Sequence, residues 1–409
     1  MSQSPQQEAA PCLSCPKLCT AYCPAHEASA REAYSPWAQI SLMTLATSLG
    51  AKPGVSEAQA FAACTGCLRC LHHCPHGFDV PKALESARGA AARAGTAPAA
   101  LGPLPLRFAQ AGHGEERDLL AVHRALVPQA AAAQARGEAR RAEQQHGRHG
   151  QHGQHGPVPP PSLAPRLASS RAARSLGPPI LLTGCDALSQ GGGLSLQALA
   201  VAAALGEPLA LGPEGELCCG EKLAQAGHPE LHAAHAARTR SALFEGKRPR
   251  PLHLVLLSPG CTLSLLERWP SVKSGLPEGS IVEHITSFLS RALARPGATS
   301  RPRLPGAVTW HDPCQLARGL REITAPRALL AAAVEEVREP VRCADETSCC
   351  GFGGLVSKAL PDLSREMARQ RSAELRDCGA PAVTSSPGCS RQLGAEELVS
   401  VLARWLGVS

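Results

Sequence analysis

From Pro179 to the end of the chain, short apolar runs alternate with longer stretches of helical periodicity. The pattern predicts strands at 180–184, near 208–211 and at 252–257, and helices at 194–205, 229–244 and 262–268. A second round of the pattern begins with an apolar run at Ala307, includes helices at about 326–337 and 364–378, and has another apolar run at Ala382. Such alternation predicts parallel sheets connected by right-handed crossovers.

Before Pro179 the pattern is helical and then loses its periodicity. Helices are predicted at 36–49, 56–63 and 81–94, the last with a proline in its first turn. Residues 96–178, rich in Ala, Gly, Pro, Gln and Arg, predict a low-complexity linker that keeps one helix at 115–135. Histidine recurs at every third position from His146 to His155. Such a tract can bind metal, but its interleaved glycines favour a flexible linker.

Composition and charge limit the function classes. A chain of 409 residues predicts two or three domains. The net charge is +7, but seven arginines and only two glutamates lie between residues 136 and 174, so the folded remainder is nearly neutral. With 3% aromatic residues, a nucleic-acid surface is not expected. No apolar stretch reaches the ~18–20 residues of a spanning helix, so no transmembrane segment is expected.

Eighteen cysteines are unusual for a chain whose first residues lack the basic and apolar regions of a signal peptide. In a reducing cytoplasm, many cysteines indicate metal ligands rather than disulfides. We therefore expect a cytoplasmic protein, either free or peripheral to the inner face of the membrane.

Eight cysteines form two runs near the N-terminus, at residues 12–23 and 64–75. The second run is C-x2-C-x2-C-x3-C-P, the pattern that holds a [4Fe–4S] cluster in bacterial ferredoxins, where the fourth cysteine of each run ligates the other cluster. We therefore predict two [4Fe–4S] clusters, although C-x2-C pairs also bind zinc. The first run is one residue longer than the pattern, which leaves its loop geometry open. The predicted ligands are Cys12, Cys15, Cys19 and Cys74 for cluster 1, and Cys64, Cys67, Cys70 and Cys23 for cluster 2.

Eight further cysteines follow one plan, given twice: a thiol after a strand, an adjacent pair before glycine, and a Ser-Pro-Gly-Cys segment after another strand. Matching positions lie roughly 130 residues apart, which indicates an internal duplication. Ligands of parallel sheets gather at the carboxyl ends of strands. The predicted metal ligands are Cys185, Cys218, Cys219 and Cys261 for one centre, and Cys314, Cys349, Cys350 and Cys389 for another.

These motifs resemble the cysteine-rich CCG domains of heterodisulfide reductase-related iron–sulfur oxidoreductases. That group includes the iron–sulfur subunits of glycolate oxidase, lactate-utilisation and anaerobic glycerol-3-phosphate dehydrogenase systems. The second copy, with His311-Asp-Pro-Cys314 and Cys-Cys-Gly-x-Gly-Gly, is closer to the family pattern than the first, in which Glu221 and Lys222 follow Gly220. The same family carries a helical ferredoxin-like domain ahead of its CCG repeats, which extends the resemblance to residues 12–95.

The resemblance implies an α+β multidomain protein, with an all-α ferredoxin-like domain followed by two duplicated α/β CCG domains with parallel sheets. The expected boundaries are 1–95 for the ferredoxin-like domain, 96–178 for the linker, 179–295 for the first repeat and 303–409 for the second. It also implies electron transfer from a separate FAD-dependent dehydrogenase to a membrane quinone, a cytochrome or another acceptor. Glycolate, lactate or glycerol 3-phosphate is the ultimate donor that it suggests.

Alternatives remain open at this stage. The CCG repeats would hold one or two iron–sulfur centres, or zinc, since four thiolates suit either metal. Where the disulfide-reducing relatives have C-x-x-C, this chain has Ser258 and Ser386 as the first residue. Serine is a poor substitute for a thiolate ligand, so a thiol–disulfide reductase is the second hypothesis and a zinc scaffold the third.

A few other residues receive predictions of their own. Cys343 and Cys378 are expected to be plain buried thiols. His311 is a candidate neighbour of the second CCG centre, and Asp312 is expected to cap the helix after it. The histidines beside the second ferredoxin-type run, at positions 72, 73 and 76, are expected to be solvated.

Overall fold

The computed structural model describes residues 12, 14–116, 118–146, 176–213, 218–244, 250–271, 275–299 and 301–409. In the described residues up to His146 the regular structure is entirely helical. The helices are α1 (Leu18–Ala21), α2 (Pro24–Ser29), α3 (Pro36–Ser48), α4 (Val55–Ala62), α5 (Arg69–His72), α6 (Val80–Ala94), α7 (Leu104–Ala111) and α8 (Leu119–His146), with 3-10 turns at Glu32–Tyr34 and Ala99–Leu101.

The predicted helices of this region are confirmed, and local signals set their ends. Ser35 accepts a hydrogen bond from the Ala38 amide at 3.2 Å at the start of α3, and Asp79 accepts one from the Lys82 amide at 3.1 Å at the start of α6. Each helix also has a proline in its first turn, where no amide donor is needed. Gly95, in the left-handed conformation, ends α6.

From Pro179 onward the described chain forms two four-stranded sheets, each entirely parallel. Their orders are β2-β1-β3-β4 and β6-β5-β7-β8, so the second sheet repeats the topology of the first. The predicted fold class is confirmed. The strands are β1 (Ile180–Leu182), β2 (Ala210–Leu211), β3 (His253–Leu256), β4 (Ile281–His284), β5 (Leu304–Trp310), β6 (Val334–Arg338), β7 (Ala382–Thr384) and β8 (Glu396–Glu397).

Helices connect these strands in the alternating order that the hydrophobic pattern predicts. In the first repeat they are α9 (Cys185–Ser189), α10 (Gly193–Ala204), α11 (Glu221–Gln225), α12 (Pro229–Phe244), α13 (Pro259–Leu263) and α14 (Ile285–Leu293), with a π-helical turn at Ser264–Arg268. In the second they are α15 (Thr324–Ala333), α16 (Val356–Ala359), α17 (Pro361–Arg376), α18 (Pro387–Leu393) and α19 (Leu398–Leu406), with a π-helical turn at Gln315–Gly319. The predicted helix at 326–337 is too long, because residues 334–338 form β6.

The expectation of a linker over residues 96–178 does not hold for residues 99–146, which form α7 and α8. Helix α8 packs along α10, and Ala133 is fully buried in the core between them. A Cβ atom on Gly137 would clash with the carbonyl oxygen of Ala200, so glycine here allows the two helix backbones to approach closely. In this alanine-rich helix the apolar and polar residues are not segregated onto opposite faces, so the hydrophobic pattern of the sequence did not indicate that one face is packed. The His-rich tract after His146 lies outside the described residues.

The two repeats share one apolar core. Leu199 and Phe288 from the first repeat lie in the same buried cluster as Trp310, Leu329 and Leu402 from the second. Burial of this much apolar surface stabilises the two sheets as one unit. None of the helices in the described part of the chain has the length and apolar character needed to cross a lipid bilayer.

Candidate metal centres

The two ferredoxin-type runs adopt the same local conformation. Lys17 and Leu68, which lie between the second and third cysteines of their runs, both have the left-handed backbone conformation, with φ of 65° and 62°. One helical turn follows each of them and carries the third cysteine, Cys19 in α1 and Cys70 in α5. The additional residue of the first run therefore lies before the left-handed residue, and the turn that carries the third cysteine is the same in both runs.

The structure brings Cys12, Cys15, Cys19 and Cys74 together around one small cavity, which Trp37 and Cys70 of the other predicted set also line. Burial and the neighbouring thiols of Cys74, Cys19 and Cys15 raise the pKa of Cys12 to about 11. This grouping agrees with the predicted exchange of fourth cysteines between the runs. The ligand assignment itself stays a prediction.

A second cavity is lined by Cys23, Cys64, Cys67 and Cys70. Burial raises the pKa of Cys64 to about 11, against the opposing effect of the Arg88 guanidinium. Arg88 also donates to the carbonyl oxygen of Cys64 at 2.7 Å and to that of Phe61 at 2.8 Å. The sequence did not predict that Arg88 is buried, because an arginine in a helix that carries charges of both signs is expected to face solvent.

The four thiols of the first CCG repeat are all buried and lie at the ends of elements. Cys185 begins α9 after β1, Cys218 and Cys219 precede α11, and Cys261 lies in the first turn of α13 after β3. The Sγ atoms of Cys219 and Cys261 are 3.4 Å apart. Gly220, with φ of 81°, provides the sharp turn after the adjacent pair.

The second repeat places its thiols in the same way, after β5, in the Gly-rich loop and after β7. The Sγ atoms of Cys350 and Cys389 are 3.2 Å apart. A hydrogen bond to Cys349 and burial hold the pKa of Cys314 well above its ordinary value. A ring nitrogen of His311 and the sulfurs of Cys350 and Cys389 all lie within 4.8 Å of one another.

This donor set fits a metal centre. Four buried thiols at such separations cannot all ionise without a cation, because burial and mutual repulsion both disfavour the thiolates. A metal ion or an iron–sulfur cluster removes that penalty, and four cysteines per set are the usual complement for [4Fe–4S] clusters and for zinc. Cys185, Cys218, Cys219 and Cys261 would hold one group, and Cys314, Cys349, Cys350 and Cys389 the other.

Both CCG sets line a single cavity of about 740 Å³ between the two repeats. Ser258 and Ser386, the first residues of the two Ser-Pro-Gly-Cys segments, also line this cavity. Charged side chains form part of the wall, among them Lys222, Lys358, Arg391, Glu115 and Asp186. The sequence predicted two sets of thiols, and the tertiary structure places them around one space.

Lys222 occupies the point where the first repeat departs from the Cys-Cys-Gly-x-Gly-Gly pattern. Its Nζ lies 3.6 Å from Cys185 Sγ, 2.5 Å from Glu115 and 2.9 Å from Asp186. A largely buried ammonium between two carboxylates is well paired, and it also brings positive charge next to a candidate ligand. In the sequence, only the departure from the Cys-Cys-Gly-x-Gly-Gly pattern indicated that Lys222 could have a role at this site.

The ferredoxin-like half lies directly against the second repeat. Cys67 belongs to the same buried cluster as Cys314 and Cys349, and a hydrogen bond to Cys349 is the leading cause that raises the pKa of Cys67 well above its ordinary value. A Cβ atom on Gly353 would lie 2.5 Å from the carbonyl oxygen of Thr65. The glycines of the second CCG loop therefore allow the ferredoxin-type loop to approach closely.

Three of the residue-level predictions need correction. Asp312 does not cap the following helix: it forms a salt bridge with Arg327 at 2.7 Å and accepts a hydrogen bond from the Ala344 amide at 2.7 Å. Cys343 and Cys378 are partly exposed rather than buried.

The third correction concerns a histidine beside the second run. His73 is not simply solvated, since its ring stacks on Tyr22 with a centroid separation of 3.5 Å and its Nε2 lies 3.1 Å from Glu346. His72 and His76 are exposed as expected. The contact with Glu346 joins the ferredoxin-like half to the second repeat, which the local sequence could not indicate.

Comparison with known domain models supports a cysteine-rich iron–sulfur protein. A 4Fe-4S dicluster domain model matches residues 11–79, and a CCG cysteine-rich domain model matches residues 308–394. The predicted relationship to the heterodisulfide reductase-related, CCG-domain iron–sulfur proteins is thereby confirmed. The domain models support iron–sulfur clusters as cofactors of this chain.

Several curated proteins are similar to this chain. One is a heterodisulfide reductase subunit, from the dihydromethanophenazine:CoB–CoM enzyme of Methanosarcina acetivorans, which is 27% identical over 244 residues, covering 56% of this chain and 59% of that protein. Lactate utilization protein A of Shouchella clausii is 29% identical over 195 residues, covering 44% and 76%. A fumarate reductase (CoM/CoB) subunit of Methanothermobacter marburgensis is 26% identical over 178 residues, covering 43% and 34%. The match thus spans less than two thirds of the heterodisulfide reductase and fumarate reductase proteins.

Proposed function

We propose that this chain is the iron–sulfur subunit of a multi-subunit oxidoreductase, which transfers electrons between a separate flavoprotein dehydrogenase and a quinone or another acceptor. The donor oxidised by the partner would be a hydroxyacid or glycerol 3-phosphate. One relative is named a lactate utilization protein, and two others are named as parts of reductases.

The observation that carries the proposal is the contact between thiol sets from different domains. Cys67 of the ferredoxin-type set packs against Cys314 and Cys349 of the second CCG set. The second CCG set in turn shares one cavity with the first. One-electron transfer requires centres that are close together. In this arrangement the second ferredoxin-type set lies next to the second CCG set, which lies next to the first CCG set.

The chain's own residues provide what such centres require. When bound, the clusters would supply one-electron redox chemistry, with potentials set by hydrogen bonds, burial and local charge. The thiols of the CCG sets are 3–9% exposed, so protein rather than water surrounds most of each site. Arg318 donates to the carbonyl oxygens of Cys67 at 2.7 Å and Thr347 at 2.9 Å, which fixes the two halves relative to each other.

The most accessible thiols lie in the first ferredoxin-type set. Its four cysteines are all partly exposed, whereas the eight CCG thiols are all buried. A redox partner exchanges electrons through the least buried centre, so we place the docking of the flavoprotein dehydrogenase beside Cys12, Cys15, Cys19 and Cys74.

Metal analysis tests the proposal directly. Iron, zinc and acid-labile sulfide are measured per chain on anaerobically purified protein, together with EPR spectra of the reduced form. Twelve to sixteen irons, roughly four per cluster, would support CCG centres that take part in electron transfer. About eight irons plus zinc would confine redox chemistry to residues 12–74. Zinc without iron would overturn the proposal and favour a scaffold protein.

A thiol–disulfide reductase is the second candidate, because both CCG sets face one cavity, whose volume of about 740 Å³ includes the space that the centres themselves would fill. Reductive cleavage of a disulfide R–S–S–R′ consumes two electrons and two protons and gives RSH and R′SH. Arg391 in the cavity wall would favour an anionic substrate, whereas Lys222 and Lys358 lie against the carboxylates of Glu115 and Asp186.

The two Ser-Pro-Gly-Cys segments weigh against this candidate, and an assay separates it from the first. The resemblance to the heterodisulfide reductase-related family implies a C-x-x-C segment where this chain has Ser258 and Ser386, and serine is a poor ligand for a soft metal. Reduced viologen provides electrons to the iron-loaded protein, and free thiols are measured after addition of small anionic disulfides. Thiol release that depends on the chain would favour the reductase, and its absence would leave electron transfer as the supported function.

A further inference from the structure

His311 stands immediately behind the second CCG set. It follows β5, is 0% exposed, and has a ring nitrogen within 4.8 Å of the sulfurs of Cys350 and Cys389. A histidine in this position has two possible roles toward a bound centre, as a ligand through nitrogen or as a hydrogen-bond donor through N–H. The arrangement of its other neighbours distinguishes the two.

Arg371 determines which nitrogen of His311 carries the proton. The Nε atom of Arg371 donates to His311 Nδ1 at 3.0 Å. A guanidinium has no acceptor and stays protonated in proteins. The lone pair of a neutral imidazole therefore lies on Nδ1 and its proton on Nε2.

The position of Arg371 is itself fixed. This side chain is fully buried and donates to Glu374 at 2.5 Å, to the carbonyl oxygen of Arg342 at 2.9 Å and to Thr347 at 3.3 Å. Rotation of the guanidinium away from His311 would break these hydrogen bonds in a buried environment, which is costly. The tautomer of His311 is consequently imposed by a rigid network.

The other nitrogen, Nε2, has no hydrogen-bond partner among the described residues. A buried donor without an acceptor is rare in folded proteins, because its desolvation is not compensated. Cys350 and Cys389 are the sulfur atoms near the ring. An acceptor held by these thiols would satisfy the Nε2–H group.

The first repeat differs at the position equivalent to His311, although a buried histidine on α12, His232, lies near its Cys219. Leu182 stands three residues before Cys185, as His311 stands three residues before Cys314, and it packs in a buried cluster with Cys219 and Cys261. At this one position, three residues before the first cysteine, the duplicated framework has leucine in the first repeat and histidine in the second. The difference lies in the chemistry of one side chain rather than in the fold.

We propose that His311 is a positioning residue that donates a hydrogen bond from Nε2 to a sulfur atom of the centre held by Cys314, Cys349, Cys350 and Cys389, and is not itself a ligand. This inference rests on the proposed function, since it takes that centre to be an iron–sulfur cluster. A donor to cluster sulfur stabilises the more negative, reduced state and raises the reduction potential. His311 therefore makes the second centre easier to reduce than the same thiols alone would.

Two variants separate this role from a structural one. His311→Leu reproduces the side chain of the first repeat and removes the donor. His311→Gln keeps an oxygen that can accept from Arg371 and an amide that can donate toward the thiols. Both are prepared in the full chain with [15N]histidine, and their iron content and melting temperature are compared with the wild type.

Pulsed EPR and redox titration of the reduced protein provide the readout. We expect a weakly coupled, exchangeable proton at one cluster in the wild type, and its loss in His311→Leu. The reduction equilibrium constant of that cluster should fall several-fold to about tenfold, which for a one-electron couple is up to ~59 mV. His311→Gln should restore most of the potential.

A strong hyperfine coupling between a histidine nitrogen and the electron spin of the cluster in the wild type would show direct ligation and overturn the inference. An unchanged potential and proton signal in His311→Leu would overturn it equally. If metal analysis finds zinc in the second repeat, the proposed function fails there, and long-range 1H–15N correlation spectra decide the inference separately. An Nε2–H tautomer with no metal on that nitrogen supports the donor role, and a metal-bound Nε2 contradicts it.

Discussion

The guanidinium of Arg318, on the π-helical turn that follows Cys314, donates to the carbonyl oxygen of Cys67 at 2.7 Å. It connects the second CCG repeat to the loop that carries a predicted ligand of the ferredoxin-like half. The same side chain donates to the carbonyl oxygens of Asp345 at 2.7 Å and Thr347 at 2.9 Å. One buried arginine thus satisfies three backbone acceptors on two domains.

Replacement of Arg318 should weaken this junction. We expect Arg318→Gln to lower the free energy of unfolding by on the order of 3 kcal/mol, because buried carbonyl groups lose their donors. Guanidinium chloride denaturation of the metal-loaded protein measures the change. Arg369→Gln, which removes an exposed ion pair with Glu366, is the control and should leave the midpoint where it is. Equal effects of the two substitutions would contradict the assigned role of Arg318.

The close approach of the two halves at Gly354 can be tested with a matched pair of glycines. Gly354 and Gly394 both have positive φ, 62° and 65°. A Cβ on Gly354 would clash with the carbonyl oxygen of Cys64, whereas a Cβ on Gly394 would meet nothing within 4 Å. Gly394→Ala should cost about 1–2 kcal/mol through backbone strain alone.

Gly354→Ala should cost this amount and in addition separate the ferredoxin-type loop from the second repeat, at about 1–3 kcal/mol more. Denaturation midpoints and the iron content of both variants give the comparison. If the two variants are equally stable, the loops do not pack in the way the structure shows.

The two cysteines left over from the four sets provide a test of the ligand assignment. Cys349→Ser should remove the metal of the second CCG centre, because serine is a poor ligand for a soft metal site. Cys343→Ser and Cys378→Ser, at partly exposed positions outside the sets, should retain the wild-type metal content. Iron, zinc and sulfide per chain are the measurements. Metal loss in either control variant would require a different assignment.

His284 predicts a pH dependence of stability. Burial lowers the pKa of this histidine to about 4 in the folded state, whereas an unfolded histidine has a pKa of about 6.5. Between these values the unfolded state binds the additional proton, so stability rises as the pH increases from 4 to 6.5 and is lost as the pH falls. The full effect is about 3 kcal/mol.

Substitution of His284 should remove this part of the pH dependence. His284→Asn keeps a side-chain acceptor for the start of α14, where His284 accepts from the Thr286 amide. Its stability should be lower at neutral pH but should change less than that of the wild type between pH 6.5 and 5. Thermal melting at each pH, compared between the two proteins, measures the difference in slope. Parallel curves would show that His284 is not the group responsible.

Local sequence carried enough information for most of the elements beside the thiols, while the membership of each thiol set stays a prediction. The position of Cys185 after β1 and of Cys389 after β7 follows from apolar runs that end before the cysteine, since parallel sheets place strand ends at one edge. The repeat at a spacing of roughly 130 residues indicated the second sheet. Residues 334–338 were missed as a strand, because the spacing of three residues between Val334 and Val337 suits the end of a helix.

The side chains that form contacts between domains could not be predicted from the sequence. Arg88, Arg318 and Glu346 contact partners far along the chain, and no spacing rule relates such pairs. Helix α8 was interpreted as mostly linker, since an alanine-rich face packed on another helix has little amphipathic signal. Asp312 was expected to cap a helix, but its carboxylate instead pairs with Arg327 and accepts from the Ala344 amide, both of which come from later parts of the chain.

The sequence by itself determined the class of chemistry, because cysteine spacing and glycine positions are local constraints on how a chain wraps around a metal centre. It also determined the parallel α/β architecture, since the alternation of apolar runs and helices leaves few other arrangements. Only the tertiary structure decided that both CCG sets face one cavity, that Cys67 lies against Cys349 and that Arg371 fixes the tautomer of His311. Those relationships depend on packing between distant segments, which the shared apolar core sets and no local pattern encodes.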